Sequence, residues 1–262
     1  DIVYAGLGAT QSAISGGYKS TDGGRTWKAL KELGPEVFSL AIHPTDSRIV
    51  AAGVRTGVFL SRDAGESWQR ISPENNKELQ PVMSLGFDAR SLDVIYAGTP
   101  HLPWKTSDGG KTWTSIHRGM HDDSDILALS VNRLKPDQVI IGACSGIYRS
   151  DNGAAQWRKL MGITGAGFRT YAVAMDPRNA DIIYSGTRDG LWRSSDGGKA
   201  WKKLAPNIVK SIAISPDSRK IYLATEDAGV LLSNDGGATF RAAQNGFADL
   251  RFHSMTAAGP AV

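Results

Sequence analysis

The sequence predicts an all-β fold, a β-propeller of six four-stranded antiparallel blades closed into a ring. Three observations support this prediction. One short turn motif returns six times, successive copies are separated by a nearly constant interval, and each interval divides into four short strand patterns. A repeat of roughly 40–45 residues built from four strands is the pattern of a propeller blade.

The repeated motif has the pattern Ser/Thr-x-Asp-x-Gly-x-Thr/Ser-Trp. Its copies span residues 20–27, 61–68, 106–113, 150–157, 194–201 and 233–240. The acidic position is occupied by Asp22, Asp63, Asp108, Asn152, Asp196 and Asp235, at successive steps of 41, 45, 44, 44 and 39 residues. The aromatic position is occupied by Trp27, Trp68, Trp113, Trp157, Trp201 and Phe240. A loop that cradles phosphate is needed once, so six copies indicate a structural turn.

The second repeat shows how one blade is predicted. Residues 37–44 alternate large and small side chains and end at a proline, as a strand does. Residues 48–54 follow a short polar turn, and residues 57–62 follow a turn containing a glycine that can adopt positive φ. Residues 67–71 come after the repeated motif and provide the fourth strand.

The two ends of the sequence predict how the ring closes. Asp1–Gly6 matches the second strand of a repeat, so the first repeat lacks its innermost strand. Residues 250–260 resemble the first strand of a repeat and are followed by no further strand pattern. Pairing of Leu250–Ala258 beside Asp1–Gly6 would remove two exposed sheet edges. We therefore expect one domain over residues 1–262, with a portion of a longer propeller as the alternative.

Composition narrows the class of protein. The single cysteine, Cys144, excludes an internal disulfide framework and a cysteine-based zinc site. The formal charge of +4 is spread over the whole chain, so we expect no nucleic-acid partner. No apolar run approaches the length of a transmembrane helix. We expect a secreted or periplasmic monomer, although one cysteine is also compatible with the cytoplasm.

The repeated motif resembles the Asp-box, or BNR repeat, of sialidases, sortilin-type receptors, two-propeller xyloglucan hydrolases and photosystem II assembly factors. The resemblance covers all six repeats. It implies that the box joins the third and fourth strands of each blade, remote from the ligand face. The aspartate then accepts hydrogen bonds from amides of its own turn, and the aromatic residue covers apolar surface between blades. In the fourth copy Asn152 and Ala154 replace aspartate and glycine, so we expect a looser turn there.

Function is expected in what differs among the repeats. The loops between second and third strands, and between blades, vary most and would share the face opposite the boxes. Candidate ligand-binding residues on these loops are Arg55, Trp104, Arg169, Tyr171, Arg188, Asp189, Glu226 and Asp227. An exposed Trp104 beside His101 could bind a protein or stack on a sugar, or it could fold over its own loop. The arginines could converge on an anion or be solvated separately.

The loop over residues 117–125 contains His117, His121 and three aspartates. These residue types ligate metals, but their irregular spacing in a polar loop favours a solvated acidic turn. We therefore expect neither a metal nor another cofactor.

Two functions remain open from the sequence. The first is a non-catalytic module that binds a protein or a glycan through the variable face. The alternative is a glycoside hydrolase, which needs two carboxylates; Asp189, Glu226 and Asp227 are the candidates. The sialidase Arg-Ile-Pro segment is missing, Tyr171 has no clear glutamate partner, and only one propeller is encoded. The first function is favoured.

Overall fold

A computed structural model describes residues 2–7, 15–120, 124–163 and 169–243 of the chain. These residues form six antiparallel sheets and two short 3₁₀ helices, Lys31–Leu33 and Lys77–Leu79. Over the described ranges, neither helix has the length and apolar character needed to cross a bilayer. The prediction of an all-β fold is confirmed.

The sheets follow one another along the chain as six blades. Blade 1 contains β1 (Val3–Leu7), β2 (Gly16–Ser20) and β3 (Lys28–Leu30). Blade 2 contains β4 (Val37–Ile42), β5 (Val50–Val54), β6 (Gly57–Ser61) and β7 (Gln69–Arg70). Blade 3 contains β8 (Ser84–Phe87), β9 (Ile95–Gly98), β10 (Pro103–Thr106) and β11 (Thr114–Ser115).

The remaining blades repeat the same order. Blade 4 contains β12 (Ile126–Val131), β13 (Val139–Ala143), β14 (Gly146–Ser150) and β15 (Arg158–Leu160). Blade 5 contains β16 (Thr170–Met175), β17 (Ile183–Thr187), β18 (Gly190–Ser194) and β19 (Lys202–Ala205). Blade 6 contains β20 (Val209–Ile214), β21 (Ile221–Thr225), β22 (Val230–Ser233) and β23 (Arg241–Ala242).

The blades are arranged around a central axis by their first strands. Strand β4 packs against β1 and β8, β12 packs against β8 and β16, and β16 packs against β20. This succession confirms the six-bladed propeller. Blade 1 has three described strands, and the fourth strand predicted for it, Leu250–Ala258, lies outside the described residues.

The core lies between the blades because alternate residues of a strand face opposite sides of its sheet. Ile95 and Tyr96 are consecutive in β9 and fully buried, yet Ile95 packs into the cluster shared by blades 2 and 3. Tyr96 packs into the cluster shared by blades 3 and 4. Blades 2 to 5 thus bury both of their faces against their neighbours in the described part of the chain.

A glycine near the end of the second strand allows two adjacent blades to approach closely. A Cβ added to Gly98 of β9 would lie 2.5 Å from Cγ2 of Ile126, the first residue of β12. Gly142 has the same relationship to Thr170 in the next blade, also at 2.5 Å. The Ile126 amide donates a hydrogen bond to the Thr99 carbonyl over 2.8 Å, so the seam also joins the two backbones.

Candidate functional site

The innermost strands of blades 2, 4, 5 and 6 share an irregularity at the end nearest the variable loops. In β4 the pairing with β5 passes from Val37 directly to Ser39, so Phe38 is left out of the ladder. The same step leaves out Leu127, Tyr171 and Lys210 in blades 4, 5 and 6. A β-bulge of this kind changes the direction of the side chain at the extra residue.

We call the residues at this position the mouth ring; they are Phe38, Met83, Leu127, Tyr171 and Lys210. Met83 belongs to the ring because it directly precedes β8, whose Ser84 pairs with Gly98 as Ser39 pairs with Gly53. All five side chains are half-buried. Four of them are large apolar side chains that stay partly exposed at equivalent positions of adjacent blades, and exposed apolar groups of this kind are typical of binding surfaces.

Lys210 and two partner residues form a cluster on one side of the mouth ring. The Lys210 ammonium lies 3.8 Å from the centroid of the Tyr171 ring, across the seam between blades 5 and 6. The same ammonium forms an ion pair of 2.6 Å with Glu226, in the turn after β21. A cation between an aromatic face and a carboxylate is attracted by both.

A second cluster in blade 2 also combines a cation, an aromatic ring and a glutamate. Arg55 follows β5, and its guanidinium carbon is 5.9 Å from the centroid of the Phe38 ring. The guanidinium binds Glu36 with two nitrogens, one of them over 2.7 Å. Hydrogen bonds from Arg55 lower the pKa of Glu36, so this carboxylate stays ionised.

Three further candidates on the variable face also have partners. Arg169 forms an ion pair with Asp125 over 3.4 Å, across blades 4 and 5. The Asn207 amide donates to Asp227 over 3.3 Å. Asp189 accepts hydrogen bonds from Thr187 and Trp192, at 2.6 and 3.1 Å.

The pKa of Asp189 results from opposing effects. Partial burial raises this pKa, but the two hydrogen bonds and the nearby Lys203 ammonium outweigh burial and leave the pKa below its ordinary value. Asp189 is therefore a carboxylate at neutral pH.

The repeated Asp-box turns lie on the face opposite the variable loops. Each turn is stabilised by hydrogen bonds to side chains of its own residues. Asp108 accepts hydrogen bonds from the Thr112 hydroxyl and amide, at 2.6 and 2.9 Å, and from the Thr106 hydroxyl at 2.8 Å. The hydrogen bonds from Thr112 lower the pKa of Asp108 to about 2. In the fourth turn Asn152 accepts from Ser150 and Gln156 at 2.8 and 3.0 Å, without a hydroxyl donor at position 156.

The aromatic residues of the second to sixth turns pack on the preceding blade. The Trp113 indole donates to the Ile71 carbonyl over 3.0 Å, and the Trp157 indole donates to the Ile116 carbonyl over 2.5 Å. Trp27 differs, because its indole donates to Gly24 within its own turn and 44 % of the residue is exposed.

A match to a known protein family agrees with the assignment of these turns as Asp-boxes. The profile of the sortilin/Vps10 family (sortilin, neurotensin receptor 3) matches residues 16–121, less than half of the chain but including three complete turns. The chain is an Asp-box β-propeller. The resemblance predicted from the six motif copies is confirmed.

Two curated fungal relatives of this Asp-box propeller are named vacuolar protein sorting/targeting protein 10. The Chaetomium globosum protein is 30 % identical over 95 residues, which cover 34 % of this chain and 6 % of that protein. The Colletotrichum graminicola protein is 32 % identical over 122 residues, which cover 41 % of this chain and 8 % of that protein. The matched segments thus cover less than a tenth of the length of these relatives.

Among solved structures, the propeller is similar to the GH74 xyloglucanase from Xanthomonas campestris. The TM-score is 0.72 at 20 % identity, and the match covers 97 % of this chain and 45 % of the xyloglucanase. Identity this low is evidence for a shared fold alone.

The position predicted for Trp104 is wrong. Instead of lying in an exposed loop, Trp104 is the second residue of β10 and only 8 % exposed. It packs in the core between blades 2 and 3, and its indole donates to the His101 carbonyl over 3.2 Å. The alternative weighed for it, a loop folded over its own aromatic residue, is closer to the structure. A buried indole offers no stacking surface to a ligand.

The other seven candidates are exposed or half-buried. The propeller brings Arg55, Tyr171 and Glu226 to the mouth ring through the two clusters described above. Arg169, Asp189 and Asp227 lie on nearby loops with partners of their own. Arg188 is exposed in the turn between β17 and β18 and belongs to neither of the two clusters.

Four residues of the mouth ring were missed in the sequence: Phe38, Met83, Leu127 and Lys210. Read along a strand, each looks like one more alternating position. The available signal is alignment of the repeats, because in blades 2 to 6 a large side chain stands directly before a small one, at Ser39, Ser84, Ala128, Ala172 and Ser211.

The histidine- and aspartate-rich loop is only partly described. Residues 121–123 lie outside the described ranges, and the His117 ring nitrogen Nδ1 contacts the Ser115 hydroxyl over 2.9 Å. Within the part of the chain that the structure describes, no three metal-ligating side chains come together.

Proposed function

We propose that this Asp-box propeller is a non-catalytic module that binds a segment of a partner protein at the mouth ring. The observation that carries this proposal is the set of four half-buried apolar side chains, Phe38, Met83, Leu127 and Tyr171, at equivalent positions of adjacent blades. Phe38, Leu127 and Tyr171 lie within their strands, and Met83 directly precedes β8.

The surroundings of the ring support a protein ligand. Protein-binding surfaces combine an apolar centre, rich in aromatic residues and methionine, with a polar rim. Here the ion pairs Arg55–Glu36, Lys210–Glu226 and Arg169–Asp125 stand around the apolar residues. The sorting/targeting name of the fungal relatives also favours a protein over a glycan, as does the absence of an exposed indole at position 104. A secreted or periplasmic location is part of this proposal.

The contacts of the candidate carboxylates favour binding over glycoside hydrolysis. A glycosidase needs one carboxyl group that remains protonated to act as the acid. The pKa of Asp189 is lowered, Glu226 pairs with Lys210, and Asp227 accepts from Asn207.

A peptide selection tests the proposed site. A random heptapeptide library displayed on phage is selected on the immobilised wild-type protein, and bound clones are retested on Phe38→Ala/Tyr171→Ala. We expect the clones to lose binding while the variant keeps its circular dichroism spectrum. Met161→Ala is the matched control, since Met161 is 70 % exposed but outside the ring. Failure to enrich any clone, or clones that bind the double variant equally, contradicts the proposal.

Turnover assays test the hydrolase alternative directly. We expect no hydrolysis of sialosides or xyloglucan above background. Hydrolysis that disappears in Asp189→Asn or Asp227→Asn would replace the binding proposal with a glycosidase.

A further inference from the structure

The two clusters at the mouth have the same three chemical parts. Phe38 and Tyr171 each lie against a cation, Arg55 and Lys210 respectively, and each cation pairs with a glutamate. Blades 2 and 5 are three blades apart in a ring of six, so the two aromatic residues stand on opposite sides of the mouth.

The clusters differ in which charge they expose. In blade 2 the Arg55 side chain is 64 % exposed and the Glu36 side chain only 13 %. At the seam of blades 5 and 6 the order is reversed, with Lys210 18 % and Glu226 51 % exposed. Blade 2 therefore presents a guanidinium to solvent, and blade 6 presents a carboxylate.

The third ion pair does not change this polarity. Arg169 and Asp125 are 51 % and 38 % exposed, so both charges of that pair reach solvent. Among these three pairs, blade 2 is thus marked by the exposed Arg55 and blade 6 by the exposed Glu226, two blades apart in the ring.

We infer that the partner segment is itself dipolar, with an acidic residue at the Arg55 side, a basic residue at the Glu226 side, and an apolar residue between them on the mouth ring. This inference rests on the proposed function and adds the charge order of the ligand. It also sets the direction in which the segment lies along the mouth ring, from blade 2 to blade 6.

The existing ion pairs leave room for these contacts. A guanidinium has five N–H donors in a planar fork, so Arg55 can bind a partner carboxylate while it holds Glu36. A carboxylate has about four acceptor positions, so Glu226 can accept from a partner cation as well as from Lys210. A segment of the opposite order would place like charges together, which gives specificity.

The heptapeptide selection also tests this inference, because the peptide sequences of the bound clones show whether a charge order is selected. We expect clones bound by the wild-type protein to contain one acidic and one basic residue on opposite sides of an apolar residue. A fluorescein-labelled peptide of the best clone then shows which charge meets which residue. Replacing either peptide charge by alanine should weaken binding roughly tenfold, as for a charge pair at an interface.

Charge reversal in the protein tests the direction. Glu226→Lys should favour peptides in which the basic residue is replaced by an acidic one. Arg55→Glu should favour the replacement of the acidic residue by a basic one. If the Arg55→Glu variant does not fold, because it places a second glutamate beside Glu36, the Arg55→Gln variant replaces it in the test. Arg55→Gln should remove the preference for an acidic residue in the peptide. Lys202→Glu, on the outer strand β19, is the matched charge control and should leave binding unchanged.

The outcomes separate this inference from the proposed function. Clones that depend on Phe38 and Tyr171 but show no charge order overturn the inference and leave the proposed site intact. A charge order that is unaffected by Arg55→Gln and Glu226→Lys also overturns it. Clones that bind the Phe38→Ala/Tyr171→Ala variant as well as they bind the wild-type protein overturn both the inference and the proposed function.

Discussion

The indole of Trp113 in blade 3 donates a hydrogen bond to the backbone carbonyl of Ile71 in blade 2, over 3.0 Å. Trp113 belongs to the Asp-box turn, and Ile71 directly follows the outermost strand of the preceding blade. The side chains also pack on the same core cluster. The box therefore closes its own turn and attaches its blade to the neighbour.

Trp113→Phe should destabilise the propeller while the fold is retained. Phenylalanine keeps most of the apolar contact but removes the donor, leaving the Ile71 carbonyl without this partner. The expected loss in the free energy of unfolding is about 0.5–1.5 kcal/mol, measured by urea denaturation. Trp27→Phe is the matched control, because its donor bonds within its own exposed turn, and it should cost less. Equal losses would contradict the role of the box in joining blades.

Asp108→Ala should lower Tm more than Asp108→Asn does. Alanine leaves the Thr112 amide and hydroxyl without their acceptor, whereas asparagine keeps one oxygen, as Asn152 does in the fourth turn. Thermal unfolding followed by circular dichroism measures both. Peptide binding at the mouth should be unchanged in both variants, and a selective loss of binding would mean that the box is itself a site.

Stability should fall in acid as the box aspartates are protonated. The pKa of Asp108 is lowered to about 2, and hydrogen bonds from their own turns also lower the pKa of Asp22, Asp63 and Asp235. A lowered folded-state pKa stabilises the fold above the unfolded-state value, about 4, and this contribution disappears as pH falls towards 2. Urea denaturation should show little change between pH 7 and 5 and a steady loss below pH 4. A constant free energy of unfolding down to pH 2.5 would contradict this assignment.

Gly98→Ala should destabilise the seam between blades 3 and 4. The added methyl group would meet Ile126 Cγ2 at 2.5 Å and would also contact the Ser84 hydroxyl. Overpacking of this kind costs about 1–3 kcal/mol. A double-mutant cycle with Ile126→Ala provides the control, because the methyl group should cost less once the isoleucine is shortened. Additive losses would show that the contact with Ile126 is not the cause.

Removal of residues 250–262 should leave blade 1 with an exposed edge. These residues lie outside the described part of the chain, so this prediction rests on their sequence pattern alone. An open edge favours pairing between molecules, so the truncated protein should aggregate and melt at lower temperature. Light scattering and thermal unfolding provide the measurements. A soluble truncated protein with unchanged Tm would contradict closure by this strand.

The blade pattern was predictable because the box and the strand alternation are local features. Even so, the fourth strand of blade 2 is shorter than residues 67–71, since it contains only Gln69 and Arg70. The Ser67 hydroxyl and amide bind Asp63 at 2.5 and 2.9 Å, which holds this residue in the turn. Side-chain hydrogen bonding thus replaces strand pairing at the start of the predicted strand.

The candidate site was predicted less well because it depends on contacts between blades. The segment before Trp104 contains two prolines and was interpreted as a loop, but Pro103 is the first residue of β10, a position that a strand tolerates. The bulge that exposes Phe38 changes the register by one residue and has no local sequence signature. Arg55 and Glu226 were selected as candidates because functional residues concentrate on loops, and their role stays a prediction.

The bulges have a consequence for how such a protein can evolve. The four bulged residues and Met83, which precedes β8, are outside the ladder, so their identity is not fixed by strand pairing. These five positions already hold Phe, Met, Leu, Tyr and Lys. Five codons, one per repeat, can therefore diversify while the turns and seams that build the ring stay constant. A library randomised at these codons alone should yield folded propellers with new binding preferences.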